Sequence, residues 1–281
     1  MTKPVPIHQV DAFTNEPFRG NPAAVCVLDA PRGADWMQAV AAEMNLAETA
    51  FLSREADAWR LRWFTPAVEV PLCGHATIAS AHVLWETGRA PAAATLAFET
   101  HSGRLAAARE GEWIRLDFPA LPPRGEPCAP PVGLLAALGL EGARAASAPL
   151  VYEVPRPNAT DGPSWLVGLA SAAELRALAP DFAALRRVAG HAVIATARGE
   201  GAHDFVSRFF APKAGVDEDP VTGSAHCSLA PFWSARLGKA ELSGLQLSQR
   251  SGVVRVRVRA RGARVDLLGR ALTVLRGELL A

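Results

Sequence analysis

The densest set of ionisable side chains lies in FFAPKAGVDEDPVTGSAHCSLAPFW, where Asp217, Glu218 and Asp219 crowd together just ahead of Pro220 and a glycine-led helix. Three adjacent carboxylates resist ionising together, so one of them is expected to keep a proton near neutral pH. The plainer reading is that Asp219 caps a turn, since aspartate before proline and glycine is ordinary turn chemistry. Gly223 and Ser224 then open the helix, offering free backbone N–H groups and the positive end of a helix dipole to a carboxylate or phosphate. Gly74 offers the same at the start of a second helix. Neither a G-x-x-x-x-G-K-[ST] loop nor a G-x-G-x-x-G fingerprint occurs in the chain, which favours a small carboxylate over a nucleotide.

In EVPLCGHATIASAHVL, Cys73 and His75 flank Gly74 at a helix entrance. A thiol there is expected to be acidified and to serve as nucleophile or acid/base, unless it is simply a small buried hydrophobe. His75 and His82 lie seven apart with no third ligand in register, so no metal site is expected. Glu48 sits in NLAETAFL, flanked by Leu46, Ala47, Ala50 and Phe51. A carboxylate in that setting is partly desolvated and its pKa moves toward the range of a general base, whereas one pointing outward would do nothing. The lysines, Lys3, Lys213 and Lys239, offer no suggestive context for a Schiff base. Cys26, Cys73, Cys128 and Cys227 form no C-x-x-C pair, which excludes a zinc ribbon or disulfide framework and fits a reducing compartment.

These residues need elements to hold them. Short apolar runs, IHQVDAF, AAVCVLD and WRLRWF, alternate with the helical pattern ADWMQAVAAEM, in which Met37, Val40, Ala41 and Met44 share a face and Asp35 is placed to cap the start. Asn45 ends that helix, and the strand that follows carries Glu48 close to its start. Prolines from Pro119 to Pro131 mark a connection rather than packed structure. We therefore expect one lobe from residues 1–120 plus 270–281 and another from 121–269. The second lobe reads as helical AAELRAL and FAALRRV, strand-like HAVIATA and DFVSRFF, a helix from about Gly223 to Leu237, and the strand SGVVRVRVRARG; the last strand, ALTVLRGELL, falls in the first lobe. In the arginine-rich strand Val254, Val256 and Val258 face inward, and Arg255, Arg257, Arg259 and Arg261 form a solvated face that guards against edge pairing. CGHATIASAHVLWETGR and TGSAHCSLAPFWSARLGK match each other: each opens on a glycine and small polar residues, carries a tryptophan (Trp85, Trp233) and stops at a glycine followed by a base.

The 281 residues carry a net charge of +1, too little to attract nucleic acid or an acidic membrane, and the basic strand lacks interleaved aromatics. No apolar run approaches the length of a membrane span, so a cytoplasmic protein is expected.

Taken in order, HQVDAFTNEPFRGNPAAVCVL, NLAETAFL, LRWFTPAVEVPLCGHATIASAHVL and DFVSRFFAPKAGVDEDPVTGSAHCSLAPFW resemble the signature segments of the PhzF-like phenazine-biosynthesis family, relatives of diaminopimelate epimerase. The resemblance implies an α+β fold of two similar lobes, each a mostly antiparallel sheet wrapped around a central helix, with the active site in the cleft between them. It implies a homodimer that uses no cofactor and moves a proton on a small carboxylate substrate. By motif, Glu48 matches the general base, Asp219 the opposing acid, His75 a substrate-side polar residue, and Gly74, Gly223 and Ser224 the substrate cradle. Cys73 leans toward the epimerase relatives, which work with a cysteine pair. Two other readings stay open: a Cys73 thiol hydrolase assisted by His75, and a binding or scaffold protein without turnover.

Overall fold

The computed structural model describes residues 4–140, 148–156 and 162–280. The chain forms two compact units, Met1–Asp117 with Asp266–Ala281, and Phe118–Val265. The first is built from β1 (Val5–Ala12), β2 (Asn21–Leu28), α1 (Ala34–Met44), β3 (Glu48–Glu55), β4 (Ala58–Phe64), β5 (Glu69–Val70), α2 (Gly74–Glu86), β6 (Leu96–Thr100), β7 (Gly103–Glu110) and β8 (Trp113–Pro119). The second holds α3 (Leu134–Ala137), β9 (Leu150–Val154), β10 (Ser164–Gly168), α4 (Ala172–Arg176), α5 (Phe182–Leu185), β11 (Val193–Arg198), β12 (Phe205–Phe210), α6 (Gly223–Leu237), β13 (Glu241–Gln246) and β14 (Gly252–Arg259). After β15 (Arg264–Gly269), the last strand β16 (Ala271–Leu279) pairs with β1 in the first unit.

Within the first unit the strands run β16-β1-β2-β3-β4-β6-β7-β8, and β2–β3 and β4–β6 are the parallel steps. Within the second they run β14-β13-β12-β11-β10-β9, with β10–β11 and β12–β13 parallel. A parallel step needs a crossover, and helices supply it. The α1 helix lies between β2 and β3, α2 between β4 and β6, α4 and α5 between β10 and β11, and α6 between β12 and β13. The two units thus repeat one order of strands and crossovers, with α2 and α6 at the same step. This is the basis of the match between CGHATIASAHVLWETGR and TGSAHCSLAPFWSARLGK.

These two helices are buried on nearly every side, from His75 to Ala81 in α2 and from Ala225 to Ala230 in α6. A helix with so little polar face belongs inside a layer rather than on it. Small residues, Ala76, Ala79, Ala81, Ala225 and Ala230, let neighbouring backbone come close, and α2 packs against β1, β2, β3 and β16. Pro231 stands inside α6 and supplies no N–H, which frees the carbonyl of Cys227 one turn back. That carbonyl accepts a hydrogen bond from the Leu121 N–H at 3.0 Å, so the proline makes an attachment point for the connecting segment.

Several local expectations need correction. Asp35 does not cap α1; Gly33 does, without a side-chain bond, and Asp35 sits in the first turn where the dipole favours it. Asn45 does end the helix, in the left-handed region at φ 50°, and its N–H reaches Ala41 O at 3.1 Å. In β14, Val254 and Val256 are buried but Val258 only partly, and Arg257 pairs with Glu241 across the β13–β14 ladder at 2.7 Å. Gly20 has φ +65°, and a Cβ there would lie 2.1 Å from Ala12 O, so the loop before β2 requires glycine.

Candidate active site

Glu48, Cys73 and His75 come together at one end of the first unit's sheet. Antiparallel pairing of β3 with β4 sets Thr49 opposite Phe64, so the chain leaves β4 beside the start of β3. There Glu48 is the first residue of β3, Cys73 is the N-cap of α2, and Gly74 and His75 begin its first turn, whose N–H groups no earlier carbonyl can reach. Oε2 of Glu48 lies 3.2 Å from Nε2 of His75, and Sγ of Cys73 lies 3.5 Å from Nδ1 of the same ring. The Glu48 side chain is 19% exposed against 7% for His75, so the carboxylate is the member that reaches outward. Nε2 of His75 is buried and makes no aligned hydrogen bond, which leaves its approach to Glu48 as a contact of charges.

Burial alone would lower the pKa of His75, but the Cys73 sulfur and the Glu48 carboxylate outweigh it and hold the imidazole well above its ordinary value. Burial, with the Glu48 charge behind it, pushes the Cys73 thiol up against the pull of His75. The expectation of an acidified Cys73 is therefore overturned: desolvation and a neighbouring carboxylate exceed the attraction of the helix end.

In the second unit, parallel pairing sets Ser207 of β12 opposite Gln246 of β13, which brings the end of β13 under the loop that follows β12. Gln246 is fully buried and binds that loop at two points. Its Nε2 donates to Asp219 O at 2.7 Å, and its Oε1 accepts from the Thr222 N–H at 2.9 Å. Thr222, the N-cap of α6, donates its hydroxyl to the Asp219 carboxylate. Gly223 is buried and Ser224 exposed at the helix entrance. Their N–H groups meet no acceptor among the described residues. One turn on, His226 is fully buried and its Nδ1–H donates to Thr222 O at 2.8 Å, while burial pushes its pKa down to about 4.

The crowding of acids before Pro220 is relieved by arginines. Arg208 clasps Glu218 with two bonds at 2.8 and 2.9 Å, and Arg186 holds Asp217 at 2.7 Å. Two of the three charges are thus compensated, and Asp219 alone turns toward the helix cap.

The sequence profile described as a phenazine biosynthesis-like protein matches residues 10–277. The chain belongs to the phenazine biosynthesis-like family. Among its relatives, an uncharacterized isomerase of Halalkalibacterium halodurans is 48% identical over 276 residues, covering 98% of each chain. A crystal structure of a PhzF family protein from Enterococcus faecalis superposes with a TM-score of 0.88 at 38% identity, over 99% of this chain and 100% of that one. A hydroxyproline epimerase from Agrobacterium vitis superposes at 0.56 with 12% identity, over 99% of this chain and 91% of that one, a likeness of fold alone. The fold is α+β and of the diaminopimelate epimerase type.

For this phenazine biosynthesis-like chain, the structure gathers Glu48, Cys73, Gly74 and His75 in one unit and Asp219, Gly223 and Ser224 in the other. Reading the sequence missed Gln246, Arg208 and His226. LSGLQLSQRSG looks like a polar loop, and no spacing ties Gln246 to Asp219. His226 was visible beside Ser224, yet only burial sets it apart from a surface histidine.

Proposed function

We propose that this chain is an isomerase that takes a proton from carbon next to a carboxylate or conjugated system and returns it at another position or face, without a cofactor. The observation that carries the reading is a partly exposed carboxylate, Glu48, held 3.2 Å from the buried imidazole of His75. Glu48 accepts the proton. The His75 imidazolium places positive charge and an uncommitted N–H where negative charge develops on the substrate, a preorganised stabilisation that costs no rearrangement during the reaction. Asp219 is assigned as the opposing acid, with the first-turn N–H groups of Gly223 and Ser224 as the carboxylate cradle. Relatives named as isomerases support the reaction class. Cys73 is protonated and buried in this arrangement, which favours a glutamate base over a thiol hydrolase or a thiol epimerase.

The test is hydrogen exchange. The enzyme is incubated in D₂O with a panel of small α-amino, α-hydroxy and dihydroaromatic acids, and loss of the C–H signal is followed by proton NMR. Exchange into one acid by the wild type and its loss in Glu48→Gln support the reading. Exchange that persists in Glu48→Gln but disappears in Cys73→Ser would transfer the base role to the thiol. No exchange into any member by the wild type would favour a binding protein.

A further inference from the structure

The geometry points to a second capacity of the Glu48, Cys73 and His75 cluster: it forms a site for one soft divalent cation, of the zinc or cadmium class, that blocks the proton-transfer machinery. The inference is independent of any turnover, although its inhibitory consequence rests on the proposed roles of Glu48 and His75.

One ligand atom from each of the three residues lies within 4.8 Å of the others. Thiolate, imidazole and carboxylate are the three protein ligand types that zinc takes. With metal–nitrogen and metal–oxygen bonds of about 2.1 Å, the 3.2 Å between Nε2 of His75 and Oε2 of Glu48 corresponds to an angle of about 100° at the metal. A tetrahedral centre sets sulfur and nitrogen about 3.6 Å apart, and Sγ now faces Nδ1 of the ring at 3.5 Å, so the thiolate must swing from Nδ1 toward the Nε2 edge to join the site. Cys73 stands at the N-cap of α2, where rotation about its side-chain bond moves Sγ without disturbing the helix. A second observation comes from Nε2 of His75, a buried nitrogen without an aligned hydrogen bond that sits beside the carboxylate. Once its proton is displaced, that nitrogen offers its lone pair to a cation held between it and the Glu48 carboxylate.

Three protein ligands leave a fourth position for water, as in open zinc sites. Binding displaces the thiol proton of Cys73 and one proton from the His75 imidazolium to solvent, and forms one metal–sulfur, one metal–nitrogen and one metal–oxygen bond. No electron moves. The bound cation occupies the carboxylate lone pair that Glu48 needs as a base, so it acts as an inhibitor and not as a cofactor.

The experiment titrates the purified full chain with cadmium chloride and follows the ultraviolet thiolate-to-cadmium charge-transfer band, with no substrate present. We expect one cadmium per chain, displacement by zinc chloride, no band in Cys73→Ser, and affinity weakened about tenfold or more in Glu48→Gln. Cys128→Ser serves as control, because Cys128 is the exposed cysteine among the described residues. Circular dichroism establishes that each variant is folded. A band that survives Cys73→Ser, or that is lost in Cys128→Ser, or no saturable band in the wild type, overturns the inference. Because the band reads binding alone, its absence leaves the exchange test of the isomerase reading untouched, and its presence does not require that reading.

Discussion

His226 should make the chain measurably less stable in mild acid, by an amount that follows from its burial. The ring is fully buried, its Nδ1–H is bonded to Thr222 O, and its Nε2 has no hydrogen-bond partner among the described residues. Charging such a ring strands a second N–H in an apolar site beside Phe205, whose ring centroid lies 5.7 Å away. Its pKa falls from 6.5 to about 4. A histidine depressed in the folded state binds fewer protons there than in the unfolded chain, so its contribution to stability is intact above the unfolded value and is lost as the pH falls toward the folded one. Between about pH 7.5 and about pH 4.5 this one group should remove about 2–3 kcal/mol. Other carboxylates titrate over the same range, so the quantity to measure is a difference. Urea unfolding of the wild type and of His226→Asn, whose amide can still donate to Thr222 O, is followed by tryptophan fluorescence at both pH values. The wild type should lose about 2–3 kcal/mol more than the variant on acidification. Equal losses, within about 0.5 kcal/mol, would refute the reasoning, because they would mean that the buried ring accepts its second proton as easily as an exposed one.

Glu48→Gln should lower deuterium exchange by about 10² or more with little change in substrate affinity, since it keeps the shape and removes the proton acceptor. The wild-type exchange rate should hold from neutral pH upward until His75 loses its raised second proton, at a pH well above ordinary imidazole; a decline already centred near 6.5 would count against the imidazolium. Gln246→Leu removes the bond to Asp219 O and strands the buried Thr222 N–H, the latter at about 1–3 kcal/mol, and should reduce kcat more than it raises KM. Alkylation with iodoacetamide, followed by peptide mass spectrometry, should modify exposed Cys128 before Cys26, Cys73 and Cys227; early labelling of Cys73 would mean that its thiol ionises despite burial.

Local chemistry decided much of the secondary structure. Asn45 ends α1 because asparagine tolerates the left-handed region, and Gly238 ends α6 at φ 66° for the same reason, so both boundaries can be read from the chain. The helix from Gly223 to Leu237, the strand carrying Glu48 at its start and the likeness of the two buried helices are likewise written in residue type and spacing. Strands such as β6, β7, β13 and β15 are not, because short half-polar runs acquire their conformation from the neighbours they pair with. The same limit governs the site. Glu48 and Cys73 meet because β3 and β4 pair antiparallel, and Gln246 reaches the Asp219 loop because β12 and β13 pair in parallel. The charges were decided there as well. From sequence, a cysteine at a helix entrance should ionise, three adjacent acids should repel, and nothing marks His226; in the folded chain burial and Glu48 keep the thiol protonated, Arg208 and Arg186 compensate two of the acids, and an apolar enclosure keeps His226 neutral. Ionisation depends on solvent exclusion and on charges a few ångströms away, and both are set by packing between segments distant in the chain.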